Sequence, residues 1–186
     1  MRIISGKARG TKLDTLEGKN TRPTLDRVRE SLFNIIQLNV RESIFLDLFS
    51  GSGAVGLEAI SRGAKKAIFC DSSKEAINII KRNISKTHSE ETSEIYDMSF
   101  EELLKNKMKE KVDIIYIDPP YNTNLAYEAI KLIIEKEIID TNSIMIIETD
   151  EKDKIIKQLE CLRVQVTDSR KYGRAYLIFL KMENMD

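Results

Sequence analysis

Cysteine is nearly missing from this sequence. Cys70 and Cys161 are the only two, too few for a disulfide framework and without metal-ligand spacing. Tryptophan is absent, and aromatic residues make up 6% of the chain. His88 is the only histidine, and it lies in the polar stretch KTHSEETSE, so a solvated loop residue is expected there rather than a proton shuttle. No apolar run is long enough to span a membrane. The opening MRIISGKARG lacks the apolar core of a signal peptide, so a cytoplasmic, metal-free protein is expected. What is present is 41% hydrophobic residues in 186, enough for one domain with a sizeable core.

Net charge is zero but unevenly spread. Residues 1–29 hold eight Lys or Arg against three acids, a charge of +5, which leaves −5 on the remainder. A basic arm on an acidic body fits a polyanion partner, and a plain solvated surface is the competing reading. Lys7, Arg9 and Arg22 are the first candidates for phosphate contacts, having no obvious acid nearby. Arg27 and Arg29 are further candidates, although a helix can turn one of them toward Asp26 or Glu30.

The pattern along the chain alternates. Short strands with turns at Gly6, Gly10 and Gly18 are expected first, as a small basic β extension over residues 1–22. A helix opening at Pro23-Thr24 begins the main domain, residues 23–186, with Thr24 as N-cap. Strands follow at 43–49, 66–70, 93–97, 112–118 and 143–149, separated by helices at 54–62, 73–86, 100–108, 125–138 and 151–159. Strands near 162–168 and 172–181 close the chain as a hairpin around the turn SRKYGR. The fold class is α/β: a seven-stranded, mostly parallel, Rossmann-like sheet with an antiparallel C-terminal hairpin.

LDLFSGSGAVG supplies Gly51, Gly53 and Gly56 directly after the first sheet strand. A GxGxxG alone is weak evidence for any one cofactor. Asp71 closes the next strand, 20 residues after Gly51, where a ribose-binding acid belongs. Asp47 sits four residues before Gly51. A carboxylate there opposes a pyrophosphate and suits the sulfonium and ammonium of S-adenosylmethionine, and the alternative for it is a helix N-terminal charge. The helix start at Thr24 offers a carboxylate site for the cofactor's methionine end, or plain capping. Asp97 either accepts from an adenine amino group or caps the next helix.

DIIYIDPPYN begins as a buried strand and ends in a stiff cluster of acceptors. Asp118, Pro119 and Pro120 present a carboxylate and carbonyls with no backbone donor at the prolines. Such a cluster suits an exocyclic amine, and the ring of Tyr121 can stack on the base that carries it. Hydrogen bonds to both amine hydrogens turn the nitrogen lone pair out of the ring and stabilise the charge that grows there during alkylation.

FSGSG with DPPY resembles the amino-methyltransferase branch of the S-adenosylmethionine-dependent enzymes. More narrowly, MRIISGKARG, RPTLDRVRESLFNI, LDLFSGSGAVGLEAISRGA, YIDPPY and KYGRAYLIFL resemble the bacterial 16S ribosomal RNA guanine-N2 methyltransferase family, in the branch acting on guanine 966. The resemblance implies a class I methyltransferase fold with S-adenosyl-L-methionine as cofactor. It implies 16S rRNA as partner, in an assembled or assembling small subunit, and a monomeric enzyme. It assigns cofactor binding to Asp47, Phe49, Gly51, Gly53, Asp71, Ser72 and Asp97, and the guanine to Asp118, Pro119, Pro120 and Tyr121.

Three other functions compete. A DNA adenine-N6 or cytosine-N4 methyltransferase uses the same loop chemistry but usually adds a sequence-reading region. A nicotinamide oxidoreductase is opposed by Asp47 and by the lack of a proton-shuttling His or Tyr-Lys pair. A non-catalytic RNA-binding assembly protein has no need of Asp118 and Tyr121.

Overall fold

Short continuous apolar runs build the central strands, and their two faces build two cores. In a computed structural model of the chain, residues 1–16 and 23–183 are described. The strands are β1 (Ile44–Asp47), β2 (Lys66–Asp71), β3 (Ser93–Asp97), β4 (Ile114–Ile117), β5 (Ile144–Thr149), β6 (Val164–Tyr172) and β7 (Ala175–Met182). They form one sheet in the order β3-β2-β1-β4-β5-β7-β6. The first five are parallel, and β7 runs antiparallel between β5 and β6. The expected α/β architecture is therefore the one observed.

The helices are α1 (Pro23–Ile35), α2 (Gln37–Val40), α3 (Ala54–Ser61), α4 (Lys74–Thr87), α5 (Phe100–Glu102), α6 (Leu125–Glu135) and α7 (Lys152–Leu159). Phe45, Phe69, Tyr116 and Ile146 point to one face and pack with Leu32, Leu57 and Ile80 of α1, α3 and α4. Leu46, Ile68, Ile115 and Ile147 point to the other and pack with Phe100, Ile130 and Ile155 of α5, α6 and α7. Among the described residues, no helix is long and apolar enough to cross a membrane.

Strand order reverses between β1 and β4, because β2 and β3 extend one way and β4 and β5 the other. In an open α/β sheet the crevice outside the carboxyl ends of such a pair is where ligands bind. The loops after β1 and β4 flank that crevice.

Three expectations need correction. The N-terminal strands reduce to one antiparallel bridge, Arg2↔Lys12, with Ile3 and Leu13 buried in the first core. Backbone N–H groups of Ile4 and Ser5 donate to the Glu58 carboxylate of α3, so side-chain contacts replace a sheet ladder. The Gly18 turn and the boundary at residue 22 lie outside the described residues. The helix expected over 100–108 widens after Glu102 into a π-helical turn, Leu103–Lys107, with Leu103 and Leu104 buried in the second core. The final turn is shorter than SRKYGR: β6 runs to Tyr172, which pairs with Ala175, leaving Gly173 and Arg174 as the loop. Gly173 supplies the positive φ, +63°, of a tight hairpin.

Candidate active site

The five parallel strands each carry an acid at the carboxyl end. Asp47, Asp71, Asp97, Asp118 and Glu148 each lie two residues beyond a side chain of the first core: Phe45, Phe69, Ile95, Tyr116 and Ile146. With side chains alternating along a strand, all five belong to the α1/α3 face.

Between β1 and α3 the chain turns tightly, with Gly53 N donating to Ser50 O at 2.7 Å. Ser50 Oγ ties the turn together, donating to Asp47 O at 2.6 Å and accepting from Cys70 N at 2.9 Å. Gly51 and Gly53 have φ of +54° and +74°, left-handed values that glycine adopts without strain. A Cβ on Gly51 would have nothing within 4 Å, so backbone there faces open space. Gly56 differs: a Cβ would lie 2.4 Å from Cε1 of Phe69, so this glycine serves helix-sheet packing.

Asp71 holds the loop from the neighbouring strand. Its Oδ2 accepts from Gly51 N at 2.8 Å and its Oδ1 from Ser73 N at 2.9 Å, and the side chain is half-buried. Ser72 beside it is exposed. Asp97 is register-paired with Asp71 and exposed. The following helix is capped by Ser99, whose Oγ accepts from Glu102 N, so Asp97 is not that cap. Phe49 is half-buried and packs against Phe100 with ring centroids 5.2 Å apart.

Asp47 departs from expectation. It is 1% exposed and its Oδ2 accepts from Gly56 N at 3.0 Å, the helix N-terminal role weighed against cofactor contact. Burial pushes its carboxyl up to about 7, the Gly56 N–H pulls it down, and the charge of Asp71 adds to the rise. Thr24 departs too: α1 begins at Pro23, which puts Thr24 inside the first turn rather than at the cap. Its side chain lies outside the described residues.

On the other side of the crevice, Asp118 and Pro119 are half-buried, Pro120 is exposed, and Tyr121 is 56% exposed. Thr123 Oγ1 donates to Pro120 O at 2.7 Å, which leaves Pro119 as the proline carbonyl suited to a substrate donor. Beneath them the Tyr116 hydroxyl donates to Glu148 Oε2. Burial and the negative charges of Glu148 and Asp118 push the Tyr116 hydroxyl well above its ordinary range. Sequence reasoning missed Glu148; its signal was a carboxylate ending the apolar run SIMIIE.

The basic arm divides. Lys7, Arg9 and Arg27 are exposed. Arg2, Arg9 and Arg27 line a cleft of about 300 Å³ together with Asp26 and Glu30. Lys7 stands apart, with its N–H bonded to Ser61 O at the last residue of α3. Arg29 is a correction: it is 5% exposed, pairs with Asp26 at 3.0 Å and approaches Glu58 at 3.8 Å. It neutralises the buried Glu58 and does not face solvent. Arg22 lies outside the described residues.

The family model described as Conserved hypothetical protein 95 matches residues 1–181. Ribosomal RNA small subunit methyltransferase D of Haemophilus influenzae is 40% identical over 156 residues, 83% of this chain and 80% of that protein. Putative rRNA methyltransferase YlbH of Bacillus subtilis is 35% identical over 152 residues, 81% of this chain and 83% of that protein. Among solved structures, a putative methyltransferase, yhhF, from Escherichia coli superposes with a TM-score of 0.84 at 26% identity, covering 100% of this chain and 99% of the other. The putative methylase HI0767 from Haemophilus influenzae gives 0.78 at 30% identity, covering 98% of each chain.

Proposed function

This chain belongs to the family described as Conserved hypothetical protein 95, and on that premise we propose that it transfers a methyl group from S-adenosyl-L-methionine to the exocyclic N2 amine of a guanine in 16S rRNA of the small ribosomal subunit. The observation that carries the reading is the juxtaposition of two loops across the β1/β4 reversal. One exposes glycine backbone braced by Asp71; the other presents Asp118 and Pro119 as acceptors. The printed names of the relatives, rRNA methyltransferases, support the substrate class. They also disfavour the DNA amine methyltransferase alternative.

The residues present fit this cofactor. Asp71 retains lone pairs for ribose hydroxyls, Gly51 and Gly53 allow close backbone approach, and Asp97 and Phe49 suit the adenine end. Ser72 follows Asp71 on the same loop. When bound, the cofactor supplies an electrophilic methyl on sulfur. Asp118 and the Pro119 carbonyl accept the two amine hydrogens of guanine and aim the nitrogen lone pair. Tyr121 stacks on the base. Transfer of that methyl to the nitrogen would leave the cofactor as a neutral thioether. The nitrogen, briefly cationic beside the Asp118 carboxylate, then loses a proton to water. Contacts from Arg9, Arg27, Lys7 and Arg22 to RNA phosphates offset the cost of exposing the base.

The test is transfer of labelled methyl to small subunits from cells lacking this gene, with duplex DNA alongside. The expected product is N2-methylguanosine at one position, guanine 966 by the sequence resemblance. Label in DNA adenine or cytosine, or none in RNA, overturns the proposal.

A further inference from the structure

Four of the five strand-end acids have a place: Asp71, Asp97 and Asp118 in the reading above, and Asp47 in anchoring α3. Glu148, at the end of β5, does not. It is 7% exposed, and among the described residues no Lys or Arg pairs with it. A carboxylate buried this far is costly unless donors answer it. The Tyr116 hydroxyl answers at Oε2. Burial pushes the Glu148 carboxyl up, and that hydrogen bond offsets part of the rise by favouring the ionised, accepting form.

Its neighbours say what else it meets. Ile117 pairs with Ile147, so Asp118 and Glu148 each follow a paired position at the ends of neighbouring strands. Both follow the face of Tyr116. Glu148 also lines the depression formed with Pro119, Pro120, Tyr121 and Asn122. A group beside the amine-holding acceptors meets the next atom along the edge of the base. In guanine the amine is flanked by N1, which carries a hydrogen, and by N3, which is bare, and only N1–H can donate to a carboxylate. In adenine and cytosine the ring nitrogen beside the exocyclic amine is bare and presents a lone pair.

We infer that Glu148 selects the base: its carboxylate accepts the N1–H of guanine and repels the bare ring nitrogen of adenine or cytosine. This rests on the guanine-N2 reading above. Tyr116 is its positioning residue, holding one oxygen so that the other is presented to the base.

The experiment compares two substrates that share the reacting amine. One is the small subunit with guanine at the position the wild-type protein methylates. The other carries 2,6-diaminopurine there, which keeps the 2-amine but has a bare N1. Wild type is expected to favour guanine by about 10- to 100-fold in single-turnover transfer, the discrimination one good base-edge contact supplies. In Glu148→Gln that preference is expected to shrink or reverse, because an amide can donate to the bare N1. Cofactor Kd and the melting transition should stay put. Equal slowing on both substrates would mean a merely structural residue and overturns the inference, as does a wild-type preference near one. Should the Gln variant not fold, Glu148→Asp, which shortens the reach by one methylene, must also reduce the preference. Wild type that methylates guanine yet ignores the N1 change sinks this inference alone. Wild type that never methylates guanine sinks the parent reading as well.

Discussion

Asp118 and Tyr121 divide the work of holding the base, and single substitutions separate their roles. Asp118→Ala removes one oriented acceptor from the developing charge, so turnover is expected to fall about 10²-fold or more, with cofactor Kd little changed. Collapse of cofactor binding with turnover intact would reassign the residue. The half-exposed ring of Tyr121 acts through its face, so Tyr121→Phe should be mild and Tyr121→Ala severe, stacking being worth roughly 1–3 kcal/mol. Equal damage from both would point to the hydroxyl instead. Asp47 makes a prediction about pH. Its carboxyl is pushed up to about 7 in the fold, against about 3.9 in an unfolded chain. Below the lower value both states are protonated and its contribution is whole. As pH rises the unfolded state ionises first, so stability drains away until the folded group ionises near 7. Asp47→Asn keeps an acceptor for Gly56 N and removes that titration. Denaturant midpoints from pH 4 to 7 should therefore decline less in the variant than in wild type, and parallel declines would contradict the assignment. At this scale the positions of the acids ending β1 to β4 were legible, because each follows an apolar run in the sequence. Burial was not. Nothing local says that Arg29 turns inward to Glu58, or that Asp47 is enclosed by the helix it anchors, since both depend on α3 packing across the sheet.

Elements were legible wherever periodicity was strong and ambiguous where a turn decides. The five parallel strands follow from short apolar runs, and most of the helices between them from 3.6-residue patterns. Their order, with β7 inserted between β5 and β6, does not, because pairing of β5 with β7 is set by apolar strips distant in sequence. SRKYGR reads as a loop by composition, yet four of its six residues continue β6, since β6 can pair fully with β7 once Gly173 takes a left-handed conformation. The hairpin also fastens α1, with the Tyr172 hydroxyl donating to Ser31 Oγ at 2.6 Å. Gly173→Val forces a β-branched residue to φ of +63° and is expected to destabilise by about 1–2 kcal/mol, the cost of left-handed backbone for a residue with a Cβ. Chemical denaturation measures it. An unchanged midpoint would mean that the turn adopts another conformation at no cost.

For the whole molecule the decisive feature is that residues 1–29 carry +5 against −5 on the remainder, and that the described part of that segment, residues 1–16, is docked on the body. Ile3 and Leu13 are buried in the first core, and the backbone of Ile4 and Ser5 is bonded to Glu58, so Arg2 and Arg9 are presented from a fixed frame. Arg27 joins them from α1 around the same cleft. Fixed cations lose less entropy on meeting phosphates than cations on a loose tail, which matters because unstacking a base in folded RNA costs a few kcal/mol. Asp26 and Glu30 on the cleft wall limit how much anion it accepts, so a few phosphates are expected there rather than a long track. Each phosphate contact releases counterions and contributes about 0.7 to 0.9 to the slope of log affinity against log salt. Arg9→Ala with Arg27→Ala should therefore raise the apparent KM for the small subunit and flatten the salt slope by about 1.4 to 1.8 if both side chains touch phosphate. The cofactor Kd should not move, since neither the glycine loop nor Asp71 lines this cleft. Lys7→Ala, at the far end of α3, is the comparison: a loss of slope there too would extend the footprint along the whole arm. An unaltered slope in the Arg9/Arg27 double variant would mean that the cleft is solvated surface and that RNA is gripped by a different face.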